Sequence, residues 1–69
     1  MSARIEVRPV DYRDAGSPSK RRHYLRHVAA NGEPLWHSEA YATRSNARRA
    51  ARRFWLPVWE FDATGVRVK

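Results

Sequence analysis

The dipeptide Asn31-Gly32, set between two alternating segments, constrains this chain more than any other feature. Asn-Gly supplies the positive φ angles of a type I′ turn, so the flanking residues are predicted to fold back as a hairpin. A strand over residues 23–29 then pairs with a strand over 34–38. If Ala30 faces Glu33, then Val28 faces Leu35, Arg26 faces His37 and Tyr24 faces Glu39. Leu25, His27, Ala29 and Trp36 take the other face. Each face mixes large apolar groups with polar ones, whereas a sheet wet on one side alternates more cleanly. Both faces are therefore expected to be covered, one by a helix and one by a second subunit or a ligand.

The helix follows directly. Thr43 has the hydroxyl of an N-cap, and Ala47, Ala50, Ala51 and Phe54 recur at helical spacing as one apolar stripe. Because the stripe is mostly alanine, the helix should sit close to its sheet, with Phe54 as main anchor and Pro57 as the stop. Residues 3–10 alternate, with Ile5 and Val7 on one face and Arg4, Glu6 and Arg8 on the other, which reads as a half-buried strand ending near Pro9. Residues 11–21 read as a flexible polar loop broken by Gly16 and Pro18. Val58-Trp-Glu-Phe61 and Val66-Arg-Val68 flank Asp62-Ala-Thr-Gly65 as a closing hairpin. The expected fold is α+β, an antiparallel β-sheet packed against one α-helix in the order β-β-β-α-β-β. Residues 1–69 form a single small basic domain.

A chain of 69 residues buries only about 60% of the surface its unfolded form exposes, so it needs a staple. It has no cysteine, which removes disulfides and thiolate metal sites and leaves oligomerisation, here a homodimer. No apolar run approaches the roughly 20 residues that span a bilayer, and the N-terminus lacks the apolar stretch of a signal peptide. The expectation is a cytoplasmic protein without a membrane partner.

Fourteen basic side chains stand against 7 acidic ones, a formal charge of +7 that favours polyanions through field and counterion release. Twelve of the 14 are arginine, a bias that a GC-rich genome, bacterial or phage, also produces. The helix concentrates it. Arg44, Arg48, Arg49, Arg52 and Arg53 stand there without an acidic residue, with Arg48/Arg52 and Arg49/Arg53 at i, i+4. Like charges at that spacing each cost about 0.2–0.5 kcal/mol in an isolated helix. Phosphate oxygens would offset this, as would solvent or pairing with Glu6, Glu39 or Glu60. Lys20, Arg21 and Arg22 form a second basic cluster.

Ala29-Ala-Asn-Gly-Glu33, then Ser38-Glu-Ala-Tyr41, then Thr43-Arg44 with Ala47 beyond, resembles the YegP-like domain family of unknown function over residues 22–54. The resemblance implies units of three strands and a helix, often paired as tandem repeats or dimers, and no catalytic residues. The loop at 11–21, Pro34 and the helix arginines depart from that pattern. Tyr41-Ala-Thr43-Arg44 is also similar, more loosely, to the helix entry of integrase arm-site DNA-binding domains, whose sheet lies in the major groove.

Two functions remain open. The first is a non-enzymatic nucleic-acid-binding protein whose helix arginines and 20–22 cluster grip phosphates. The second is a homodimeric interaction module, without nucleic-acid binding, that takes an acidic protein partner, with Leu35, Trp36 and Tyr24 at the interface. Tyr24, Trp36, Trp55 and Trp59 have rings that stack on exposed bases, although Trp59, Phe61 and Phe54 are expected in the core. His23 and His27 share a strand face that His37 does not, so no metal is expected, and no cofactor motif is present.

Overall fold

The computed structural model describes residues 3–12, 16 and 20–69. Four strands and a helix run in the order β1 (Arg4–Tyr12), β2 (Lys20–Val28), β3 (Pro34–His37), α1 (Arg44–Ala51) and β4 (Val58–Glu60), with a 3₁₀ turn at Arg52–Phe54. The fold is α+β, one four-stranded sheet ordered β3-β2-β1-β4 with the helix on one face. The expected all-antiparallel sheet is corrected to a mixed one, because β4 pairs with β1 in parallel, Ile5 beside Val58 and Val7 beside Glu60. The reason is the crossover. A helix that carries the chain from one sheet edge to the other returns it in its original direction.

β1 and β2 pair from Arg4↔Val28 to Tyr12↔Lys20, so the expected loop 11–21 is shorter than its composition implies. Asp11 and Tyr12 belong to β1, Lys20 and Arg21 to β2, and residues 13–15 and 17–19 lie outside the described residues. Pro9 does not end the strand. The His23 N–H and C=O both turn toward Tyr41, at 2.9 and 2.6 Å, so the Pro9↔His23 pair exchanges no hydrogen bonds. Pro9 lacks only a donor that would point past the end of β4.

The turn at Asn31-Gly32 differs from the two-residue form. Gly32 alone is left-handed (φ 89°), its N–H donates to Ala29 O, and the Ala29 N–H donates to Glu33 O, both at 2.9 Å. This is a three-residue loop, which puts Ala29 rather than Ala30 opposite Glu33. The one-residue slip places Val28 opposite Pro34 instead of Leu35. A β-bulge then spends Leu35 as an extra residue and restores Trp36 opposite His27 and His37 opposite Arg26. The bulge also marks β3 as a sheet edge.

Thr43 caps the helix from extended backbone, its Oγ1 accepting from the Asn46 N–H at 3.1 Å. Ala47 and Ala51 are fully buried against Ile5, Val7 and Leu25, with Tyr41, Ala50, Leu56 and Val58 packed around them. Burial of each large aliphatic side chain contributes roughly 1.5–3 kcal/mol. Phe54 is not the anchor. It lies 42% exposed at the rim, its ring 5.4 Å from that of Trp36. Nor does Pro57 stop the helix, which ends six residues earlier, after which Trp55 turns left-handed. Pro57 instead starts the parallel pairing, its carbonyl accepting from the Ile5 N–H at 2.9 Å. The expected last strand is reduced to a Phe61↔Arg67 bridge, while backbone bonds still close the hairpin: Asp62 N–H to Val66 O at 2.9 Å, Val68 N–H to Glu60 O at 2.7 Å and Glu60 N–H to Lys69 O at 3.0 Å. Among the described residues no helix is long and apolar enough to cross a membrane.

Candidate nucleic-acid interface

The alanine stripe of α1 faces the sheet, which sends its arginines in two directions. Arg48 turns inward and meets the buried Glu60 of β4 through Nε (2.7 Å) and Nη2 (2.8 Å). That fork holds the Glu60 carboxyl below its ordinary pKa against the opposing effect of burial, and raises Arg48 in return. Arg48 therefore clamps helix to sheet. Arg44 is half-buried on the same side and adds to the positive field at Glu60. Arg49, Arg52 and Arg53 point outward, exposed, and among the described residues none of the three has an ion pair. Their place at the negative end of the helix dipole is itself favourable. Arg49 and Arg53 line a shallow cleft of about 230 Å³ with Tyr41, Asn46 and Ala50.

The opposite face of the sheet is arginine-rich as well. Glu6, only 1% exposed, accepts from Arg4 Nε and Arg8 Nε at 2.7 Å each, and Arg26 Nε stands 3.5 Å away. Burial raises the Glu6 pKa, but the bonds from Arg8 and Arg4 outweigh it and hold the carboxyl below its ordinary value. Two of these guanidinium groups, together with that of Arg67, lie over aromatic rings. Arg4 covers Trp59 at 4.1 Å, Arg67 covers it at 3.9 Å, and Arg8 covers Phe61 at 3.9 Å. The mixed alternation in the sequence has its cause here. This face is covered by its own arginine stems around one carboxylate, not by a second apolar layer. Phe61 is buried as expected of a core residue and Trp59 only half-buried, both on the side away from the helix.

The second basic cluster lies on a strand, not a loop: Lys20 and Arg21 are exposed on β2, with Arg22 half-buried beside them. Arg21 pairs with Asp11 across the ribbon at 3.2 Å. Leu35, Trp36 and Tyr24 line one groove of about 330 Å³ with Arg26, Pro34 and His37. Leu35 (56%) and Trp36 (45%) are exposed there. His23 is buried, and burial with the charges of Arg44 and Arg21 lowers its pKa against the opposing charge of Glu60. Among the described residues no group of three His, Cys, Asp or Glu side chains could hold a metal ion.

The sequence pointed to the helix arginines and missed the cluster of Arg4, Arg8, Arg26 and Arg67 around Glu6, Trp59 and Phe61. The signal was the Arg4-x-Glu6-x-Arg8 alternation, whose charged face reads as solvent-facing until β4 is known to lie beside β1. Compared with known proteins, the chain matches no family model, no curated protein and no solved structure, so its function is legible only from its own residues.

Proposed function

We propose that the protein is a non-enzymatic nucleic-acid-binding domain that grips phosphates with Arg49, Arg52 and Arg53 of the helix end, supported by Arg44 and by Lys20 and Arg21 of β2. The supporting observation is where the acids go. Glu60 and Glu6 are buried and consumed by Arg48 and by Arg4 and Arg8, while Asp62 closes its own turn by accepting from the Thr64 and Val66 N–H groups. Arg48 pairs with Glu60 while Arg4 and Arg8 share Glu6, whereas Arg49, Arg52 and Arg53 have no ion pair among the described residues and are left to an external anion. Guanidinium groups match phosphate oxygens, and such contacts give affinity more than sequence readout. Arg48, placed in the gripping set by sequence, acts in this reading as the helix clamp.

The test is fluorescence anisotropy of a labelled oligonucleotide at low salt with the wild type and a R49Q/R52Q/R53Q variant. Binding lost in the variant supports the reading; equal binding, or none by the wild type, refutes it.

A second reading has its own observation. Leu35, Trp36 and Phe54 are between 42% and 56% exposed, the first two on the edge strand β3 and Phe54 against Trp36. A contiguous apolar patch of this kind marks an interaction surface. A homodimer formed there is what the YegP-like resemblance implies, although residues 22–54 hold two strands and a capped helix rather than the three strands and a helix of that family's unit. Sedimentation of a L35D/W36D variant tests it: a wild-type dimer converted to monomer supports it, and a monomeric wild type at micromolar concentration rules it out.

A further inference from the structure

The three tryptophans sit in three different environments. Trp59 has two guanidinium groups over its ring, and Trp36 rests on Phe54. Trp55 is 93% exposed, and among the described residues no ring or cation lies over it. Its backbone is left-handed, φ 56° and ψ 29°, the sole positive φ outside glycine among the described residues. That conformation costs an L-residue free energy that glycine escapes, and the position is one where helices commonly end on glycine or asparagine. Trp55 therefore has no packing role that compensates either its exposure or its strain. Strain held without a folding reason points to function. The residue follows Arg52 and Arg53 with only Phe54 between, and its N–H reaches back to Arg52 O at 3.4 Å, so its backbone is held at the end of the arginine row.

We propose that Trp55 is a base-stacking residue, and that the nucleic acid taken by this site is single-stranded or carries an unpaired base. The inference rests on the phosphate-gripping reading above and names its substrate class. An unstacked base offers a flat apolar face to an indole open on both sides, while the neighbouring guanidinium groups hold the adjoining phosphates. In a duplex the bases are already stacked on each other, which leaves Trp55 no partner there. Trp59 and Phe61 are less open to a base, since Arg4 and Arg67 lie over the ring of Trp59 and Arg8 over that of Phe61.

Stability and binding should move in opposite directions in Trp55→Gly. Glycine relieves the left-handed strain, so the melting temperature should rise by a few degrees. Removing the stack should weaken binding of a single-stranded oligonucleotide by about five- to hundredfold, the range of one aromatic–base contact. Binding of the matched duplex should stay within about twofold, and Trp55→Phe should retain most of the single-strand affinity. The experiment is anisotropy of the two labelled oligonucleotides with wild type, W55G, W55F and R49Q/R52Q/R53Q, beside thermal melts of each. Unchanged single-strand affinity in W55G, with binding lost in the arginine variant, overturns the stacking role and leaves the phosphate grip. Equal weakening on duplex and single strand overturns it too, as does loss of self-association alone, which would make Trp55 a protein contact. Failure of the wild type to bind either oligonucleotide removes both readings.

Discussion

Replacing Glu6 by glutamine tests how the open face of the sheet is held. The carboxylate is 1% exposed and pairs with Arg4 and Arg8 at 2.7 Å each, with Arg26 at 3.5 Å. The amide keeps the shape but offers one acceptor and places a donor against guanidinium groups. Breaking a buried ion pair by removing one partner costs about 3–5 kcal/mol. The arginine side chains here keep 15%, 26% and 33% of their exposure, so water rehydrates part of their charge. The expected cost is thus nearer 2–4 kcal/mol, against a total stability of roughly 5 kcal/mol for so short a chain. At about 4–8 °C per kcal/mol the melting temperature should drop by roughly 8–32 °C. The pH dependence carries a second sign. Glu6 has a folded pKa below its unfolded value, so its stabilisation is present above the ordinary carboxylate range and is lost as pH falls through the folded value. In E6Q that share of the acid loss disappears, and the share from Glu60 remains. Thermal melts by circular dichroism from pH 7 down to pH 3 measure both. A variant that melts within a few degrees of the wild type at pH 7, with the same acid profile, would refute the account of this face.

Two further substitutions probe the helix. Ala51→Leu adds volume where Ala47 and Ala51 are fully buried against Ile5, Val7 and Leu25, and should cost about 1–3 kcal/mol, read from urea denaturation; a neutral result would mean the helix does not sit close to the sheet. Thr43→Ala removes the hydroxyl that accepts from the Asn46 N–H, and should cost about 1 kcal/mol, while Thr43→Ser should cost little.

Local chemistry was readable in the sequence and long-range pairing was not. The Thr43 cap, the alanine stripe and the Arg26↔His37 pair follow from residues within one hairpin or one helix. The last of these survived a wrong turn type because a bulge at Leu35 cancelled the one-residue slip introduced by the three-residue loop. The strand partner of β1 could not be read locally, since nothing near Val58 states that the crossover lands it beside Ile5. From that parallel pairing follow the buried Glu60 that claims Arg48, and the seat of Trp59 under Arg4. The helix arginines were visible as a set, but which of them face outward depends on an acid 12 residues away from Arg48.

The salt dependence of binding tests the central claim most directly. With labelled oligonucleotide and wild-type protein, log K plotted against log salt should fall with a slope of about −0.9 per phosphate on duplex and about −0.7 on single strand. Four engaged phosphates give roughly −3.6 and −2.8. In R49Q/R52Q/R53Q most of that slope should vanish. A flat salt dependence, or a slope that the variant leaves intact, would contradict the account.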